Sequence, residues 1–339
     1  MGGADKETIE GIKFNAPKNY DAQNRCVTTH DYVTTVKRDY SGAQSVVAWG
    51  GEDEDPPVYG KVFIAIKPAS GSVLSGSTKA WVQDTILAKR NIVGVTPEVK
   101  DPDYLYLKVN STVKYDSGRT TNSASVLKST VSTAVTDFGD TNLKTFDKSF
   151  RYSKLIQAID EAEVSIKSNQ TSVTIKRLLY PRLGSSAAYT LPFSNQIYHP
   201  ANNFWGAVTS AEFSYNDSVN TLWTGCRLQD DNGVLQVYRS SGEERILVDN
   251  NVGTITYLSG KVELKSFKPI AIGSETTGNT TPLEVTVTPA SADILPLREQ
   301  IILIESGDVN ITMLDDAGTG TYVKGSISST DGTTLTTGY

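Results

Sequence analysis

The feature that most constrains this chain is the change in pattern after Pro181, where helical periodicity nearly disappears. Short runs of β-branched and aromatic residues take over, and turn residues such as Gly, Asn and Asp separate them. These runs lie at 207–215, 223–228, 234–238, 246–248, 253–258, 262–267, 283–288, 300–305 and 309–314. Short strands at this spacing are typical of a sandwich or a meander. The sequence therefore predicts a β-rich region over residues 181–339, with a loose Ser/Thr/Gly-rich tail over residues 325–339.

The first hundred residues mix helical and strand patterns. Residues 6–13 are compatible with a short helix that Pro17 ends, and residues 30–40 with a helix capped by Thr28 or Thr29. Strands over 44–49 and 58–67 flank an acidic loop as a long hairpin, and a helix over 77–90 and a strand over 93–99 follow. This order predicts an α/β domain over residues 28–100, preceded by a domain remnant or linker over residues 1–27.

A second α/β unit follows over residues 101–180. Residues 104–115 alternate, with Leu105, Leu107 and Val109 on one face, which is the pattern of a half-buried strand. Helices over 123–138 and 152–160 precede a strand–turn–strand over 164–179, with the turn at 168–170. The predicted fold class is therefore α+β and multidomain, with small α/β sandwich domains in the first half and a β-rich second half. Segments 100–103 and 180–186 are the candidate hinges between these units.

Composition excludes several classes of protein. The formal net charge of −6 and a pI near 5.1 give no positive field for a nucleic-acid backbone. Cys26 and Cys226 are too few for a disulfide scaffold or a Cys-rich zinc site, and only two histidines are present. No run of 18 apolar residues occurs. We therefore expect no metal, no cofactor, no nucleic acid and no membrane among the partners of this chain.

Catalytic motifs are also absent from the sequence. His30 lies beside Asp31 at a helix start, where capping explains the pair more simply than acid–base chemistry. His199 precedes Pro200 in an aromatic loop, which more often packs a loop or a subunit contact. Neither a phosphate-binding loop nor a Gly-x-Ser-x-Gly elbow occurs. We expect no catalytic residue and no enzyme, although two carboxylates that meet only in the fold would leave a hydrolase open.

Exposed aromatic residues are the candidate interface residues, because Tyr and Trp are enriched at binding hot spots. Tyr198, Phe204 and Trp205 lie in one loop of the β-rich region. Trp49 and Tyr59 lie in the first α/β domain, on either side of the acidic loop. The sequence does not indicate which neighbour any of these residues contacts.

Several segments together carry a recognisable pattern. They are ETIEGIKFNAP at 7–17, VVAWGGED at 46–53, PPVYGKVFI at 56–64, GTITYLSGKVEL at 253–264 and PASADI at 289–294. The pattern resembles the baseplate J-like family of contractile bacteriophage tails and, in this combined order, the baseplate wedge proteins of T-even-type phages. In that family a long N-terminal region comes first, and Met1 stands directly before Gly2 and Gly3 here. We therefore expect a C-terminal fragment.

The resemblance implies a structural role in the virion tail baseplate, assembled in the host cytoplasm. Proteins of this kind join copies of themselves, as homodimers within a ring, and neighbouring wedge proteins around the tail hub. The ring relays the signal for sheath contraction, and no catalytic residues come with the family. The alternative is a receptor- or glycan-binding tail module, in which the aromatic loop over residues 198–205 holds a sugar. A glycan-array signal that maps to this loop would favour the alternative.

Overall fold

The computed structural model describes residues 9–316, apart from Asp55, residues 202–204, Glu243 and Asn279. The described strands form two sheets, one of three strands and one of thirteen. The expected loose tail over residues 325–339 lies outside the described residues. The predicted α+β class, with a β-rich second half, is confirmed.

Helices are confined to the first half of the described chain. They are α1 (Ile9–Ala22), α2 (Thr29–Asp39), α3 (Gly76–Trp81, continued by a π-helical turn Val82–Leu87), α4 (Ala124–Asn142) and α5 (Tyr152–Asp160). The strands among them are β1 (Ala43–Gly50), β2 (Lys61–Pro68), β3 (Thr96–Lys100), β4 (Asp103–Tyr115) and β5 (Ile166–Leu179).

Strands build the second half of the described chain, apart from a 3-10 helical turn at Ser306–Asp308. They are β6 (Ala187–Pro192), β7 (Trp205–Ser210), β8 (Phe213–Asn216), β9 (Leu222–Asp231), β10 (Val234–Ser241), β11 (Glu244–Thr256), β12 (Lys261–Phe267), β13 (Pro269–Ile272), β14 (Leu283–Val287), β15 (Gln300–Leu303) and β16 (Val309–Asp315). The β9–β10 turn contains Asn232 and Gly233, both at positive φ (47° and 88°). Two such residues suit a type I′ hairpin, so the predicted turn is confirmed.

The small sheet has the order β1-β2-β3, with β1 antiparallel and β3 parallel to β2. Helix α2 starts at a capping box, because the Thr28 hydroxyl accepts from the Asp31 N–H while the Asp31 carboxylate accepts from the Thr28 N–H. One face of the sheet packs on α2 and the π-helical turn through Tyr32, Val36 and Leu87. The predicted hairpin and the cap at Thr28 are therefore confirmed.

Strand β4 organises the large sheet. Its Leu105, Leu107 and Val109 are fully buried, as the alternation predicts. Strand β5 pairs antiparallel with one edge of β4, and β15 and β16 return from the end of the described chain to pair parallel with the other edge. Helices α4 and α5 pack against this part of the sheet through residues such as Val131 and Leu155.

One continuous core runs from β4 into the β-rich region. Beyond β5 the sheet continues as β14, β7, β9, β10, β11, β12 and β6. A single hydrophobic cluster contains buried residues of both regions, among them Leu105 of β4 and Val262 of β12. The sheet and its core thus cross residue 180, and the predicted domain bounds at 100 and 180 stay predictions.

Two local predictions are wrong. One placed the end of a helix at a proline, and the other placed a turn at a run of polar residues. Helix α1 continues through Pro17, since the exposed side of the helix lets water solvate the carbonyl that proline leaves unbonded. The predicted turn at 168–170 is part of the continuous strand β5, paired with β4. Its polar residues lie at the solvated end of the strand, where Asn169 donates to Asp160 (2.7 Å).

Strand boundaries in the β-rich region also differ from the prediction. Residues 207–215 contribute to two strands, β7 and β8. Ala211 and Glu212 lie between these strands and belong to neither. The predicted strands over 246–248 and 253–258 form one strand, β11, whose register against β10 shifts twice. The polar residues Asp249, Asn250 and Asn251 lie near these shifts in register. From the sequence alone, such residues suggest a loop.

We expect Leu107→Ala to destabilise the chain by about 2–5 kcal/mol, because it opens a cavity in the core at the centre of β4. Urea unfolding followed by circular dichroism measures this loss. Lys108→Ala on the opposite face of the same strand is the control and changes stability by no more than about 0.5 kcal/mol. Equal effects of the two substitutions would contradict the assignment of β4 faces.

Candidate interaction surfaces

An exposed apolar surface lies at one end of the small sheet. It consists of Val27, Val58, Tyr59, Ile92 and Val93, and we call it the Tyr59 surface. Tyr59 is 80% exposed and Val93 is fully exposed. Contiguous apolar side chains on a protein surface mark interaction sites more often than scattered ones do.

The backbone beneath the Tyr59 surface is fixed by hydrogen bonds. Asn91 accepts from the Tyr32 hydroxyl and donates to the Val95 carbonyl, which pins the loop that presents Ile92 and Val93. Burial raises the pKa of Tyr32 to about 12, so this hydroxyl stays a donor at neutral pH. Gly60 turns the chain at a φ of 78°, and its carbonyl accepts from the Thr96 N–H (2.9 Å).

A second exposed apolar surface lies in the β-rich region. It consists of Tyr198, Leu258, Leu295 and Leu297, and we call it the Tyr198 surface. Asn195 joins its loops, because its amide donates to the Leu295 carbonyl and accepts from the Leu295 N–H, both at 3.0 Å. Gly260 approaches the Asn195 carbonyl so closely that a Cβ at this position would clash with it. The turn that carries Leu258 therefore stays against Asn195.

A buried carboxylate positions the strand β7. Asp230 is fully buried and accepts from the Gly206 N–H (3.0 Å) and the Val208 N–H (2.9 Å). Its other oxygen accepts from the Tyr257 hydroxyl (2.8 Å), and the His199 ring stacks on the Tyr257 ring at 4.0 Å. Burial, followed by the bond to Asp230, raises the pKa of Tyr257. This arrangement gives His199 a packing environment, in line with the structural interpretation of this residue.

Trp49 lies inside the molecule. Its side chain is 4% exposed and packs against Phe63 on the second face of the small sheet. The same cluster contains Phe146, which follows α4, and Ile301 of β15, so Trp49 lies where the small sheet contacts the large one. Its candidate role between chains stays a prediction, and in the described chain its contacts are internal.

A carboxylate and an ammonium lie beside Trp49 within the small-sheet unit. Trp49 Nε1–H donates to Glu54 (2.8 Å), which also forms an ion pair with Lys100 (2.8 Å), the last residue of β3. The Lys100 ammonium lies 3.6 Å from the centre of the Phe63 ring. Burial acts to raise the pKa of Glu54, but the bonds from Lys100 and Trp49 outweigh it and lower that pKa.

The other candidate interface residues are only partly described. Phe204 lies outside the described residues, and Trp205 starts β7 opposite Asp231. Tyr59 and Tyr198 are exposed, and they belong to two different surfaces. Sequence reasoning missed Val93 as a surface residue because residues 93–99 resembled a strand, although β3 starts only at Thr96. The available signal was Gly94, which favours a turn before Pro97.

Among residues 9–316, with the gaps given above, no group of three or more His, Cys, Asp or Glu side chains could hold a metal ion. No helix within these same residues combines the length and the apolar character that crossing a membrane requires.

We expect Glu54→Gln to lower stability near pH 7, because the pKa of Glu54 is depressed in the folded state. The contribution of the Glu54 carboxylate to the free energy of unfolding is fully present above its ordinary pKa of 4.5. It is lost as pH falls through the lower pKa of the folded state. Thermal unfolding from pH 7 to pH 3 should therefore show a gap between wild type and variant that closes on acidification. Glu52→Gln in the same acidic loop is the control, and a gap independent of pH would contradict the assignment.

Comparisons with known proteins were made by family, by curated sequence and by structure. Residues 28–100 match the family model of the baseplate structural protein gp6, C-terminal domain I, and residues 103–177 match that of C-terminal domain III. The baseplate wedge protein gp6 of Enterobacteria phage T4 is 28% identical over 230 residues, which cover 68% of this chain and 33% of that protein. The chain thus spans about a third of the length of this relative.

A solved structure of the anti-feeding prophage baseplate is also similar, at 12% identity and a TM-score of 0.38. The match covers 51% of this chain and 39% of that one, and such a low TM-score carries no argument about the fold. The family and sequence matches confirm the predicted resemblance. Residues 28–100 and 103–177 of the chain are thus similar to the C-terminal domains I and III of the baseplate wedge protein gp6.

Proposed function

We propose that this chain is a structural component of a contractile-tail baseplate wedge. It associates with itself, joins neighbouring wedge proteins into a ring around the tail hub and relays the contraction signal. The observation that carries this proposal is the match to two gp6 C-terminal domains, I and III, together with 28% identity to the T4 wedge protein. It functions in the virion after assembly in the host cytoplasm, and it performs no catalysis.

Two structural features support an assembly role. The Tyr59 surface and the Tyr198 surface lie on different parts of the fold, so one copy can contact two neighbours at once. In a ring, each copy repeats the same contacts, and linkage of many weak contacts strengthens the whole assembly. Tyr, Leu and Val side chains supply the apolar area that such contacts bury.

The contact around Trp49 supports the relay part of the proposal. It packs the small sheet against the large one through Phe63, Phe146 and Ile301. Ser45 accepts a hydrogen bond from the Phe146 N–H (3.3 Å) across the same contact. Packed interiors resist compression, so a displacement of one sheet is passed to the other.

We expect the paired substitution Tyr59→Ser and Val93→Ser to weaken binding of the chain to the other wedge proteins of the same baseplate. The two serines remove most of the apolar area of the Tyr59 surface, and a loss of at least about tenfold in affinity follows if this surface carries the contact. Biolayer interferometry against each purified wedge protein measures the effect.

Val219→Ser provides the matched control, because Val219 is an equally exposed valine on the loop between β8 and β9. The control should bind as wild type does. If wild type binds no wedge protein, the assembly function is wrong. If the paired variant binds as tightly as wild type, the function stands and the contact lies elsewhere.

A further inference from the structure

The strand β16 lies at the end of the large sheet. It pairs with β4 through seven consecutive residue pairs, from Val309 to Asp315, with no shift in register. No other strand in the described part of the chain pairs with β16. Its second edge therefore presents backbone N–H and C=O groups in a regular row, and such a row is a template for another strand.

Two other edges of the described sheets, at β3 and β6, carry features that discourage pairing. Strand β3 contains Pro97, which has no N–H to donate, and two charged residues, Glu98 and Lys100. Strand β6 is short and ends at Pro192. Strand β16 has the sequence VNITMLD, with no proline, no lysine and a single charge at its last residue. An edge with an unshifted register and a single terminal charge suits a partner strand.

We propose that the free edge of β16 pairs antiparallel with β16 of a second copy, so that the two large sheets join across a two-fold axis. The inference rests on the self-association in the proposed function and assigns that self-association to the edge of β16. A two-fold contact uses the same surface on both copies, and β16 is complementary to itself. With Thr312 on the axis, Asn310 faces Leu314 and Ile311 faces Met313 of the second copy.

This register keeps every side chain on its proper face. Val309 and Ile311 are buried on the α4 side, while Asn310, Thr312 and Leu314 are exposed on the other side. Pairing about Thr312 matches odd with odd and even with even positions, so buried faces continue into buried faces. It also sets Asp315 opposite Val309, which leaves no pair of like charges directly opposed.

Helix α4 leaves room for this contact. A perpendicular two-fold axis places the α4 helices of both copies on the same side of the joined sheet. The side of α4 near Ser306, in the β15–β16 connection, borders a shallow groove. The helix lines this groove with one long side chain, Lys128, and otherwise with small hydroxyl residues: Ser125, Ser129, Ser132, Thr133 and Thr136. Small side chains let two helices approach closely.

The test uses opposite charges at the two-fold axis. In Thr312→Lys two ammonium groups meet across the axis, and in Thr312→Glu two carboxylates meet. We expect each variant alone to self-associate at least about tenfold more weakly than wild type in sedimentation equilibrium. An equimolar mixture of the two variants should regain dimer, because each axis then pairs one lysine with one glutamate.

Ser172→Lys is the matched control, because Ser172 is exposed on β5, and β4 separates β5 from the edge of β16. This variant should dimerise as wild type does. If both Thr312 variants dimerise like wild type, or if the mixture stays monomeric, the β16 contact is wrong while self-association can stand through another surface. If wild type itself is monomeric at all concentrations, self-association of this chain is wrong as well.

Discussion

The structure depends on the pairing of β4 with β5, which follows it closely in the chain, and with strands from the far end of the described chain. Residues 103–115 hold β5 on one edge and residues 300–315 on the other, so nearly 200 residues lie between the two partners in parallel register. Closing so long a loop costs conformational entropy, which buried contacts must offset. The fully buried leucines of β4 and the α4 and α5 helices supply these contacts. Most of the β-rich region therefore lies in sequence between β4 and the two strands, β15 and β16, that pair with β4.

Buried charges fix this register. Lys176 on β5 and Asp308, between β15 and β16, are both about 95% buried and lie 2.6 Å apart. Burial acts to lower the pKa of Lys176, but Asp308 outweighs it and raises that pKa. On the other face Arg177 binds Asp103, which also accepts from the Gln300 amide (2.9 Å). A shift of one residue would leave such a charge buried without its partner, which is far costlier than losing an exposed pair.

Sequence patterns predicted the elements whose periodicity reflects a single buried face. The alternation of Leu105, Leu107 and Val109 predicted β4, and the spacing of Leu155 and Ile159 predicted α5 with the bounds that the structure gives. Patterns failed where long-range contacts determine the local structure. The polar residues of β5 at 168–170 are extended because they pair with β4, and their neighbours in sequence do not indicate this pairing. The parallel return of β15 and β16 leaves no local signal at all.

The candidate residues divide in the same way. A tyrosine such as Tyr59 can be called exposed from its position between Gly60 and a proline-rich loop, because that context predicts a turn. Trp49 lies in a strand whose two faces are both buried, and only the second contact, with Phe146 and Ile301, distinguishes it from an exposed aromatic. That contact crosses the candidate hinge at residues 100–103, where Lys100 pairs with Glu54.

These contacts limit how the chain can move within an assembly. A hinge at residues 100–103 would have to separate Trp49 and Phe63 from Phe146 and Ile301, and exposing these side chains costs about 1.5–3 kcal/mol each. It would also break the ion pair between Arg298 and Asp53, which joins the acidic loop to the segment before β15. Motion of the small sheet and the β4 region as one body is therefore cheaper than motion at this linker. In the proposed assembly, a chain built in this way would transmit displacement through its packed sheets, and its contacts with neighbours would be the places where the assembly rearranges.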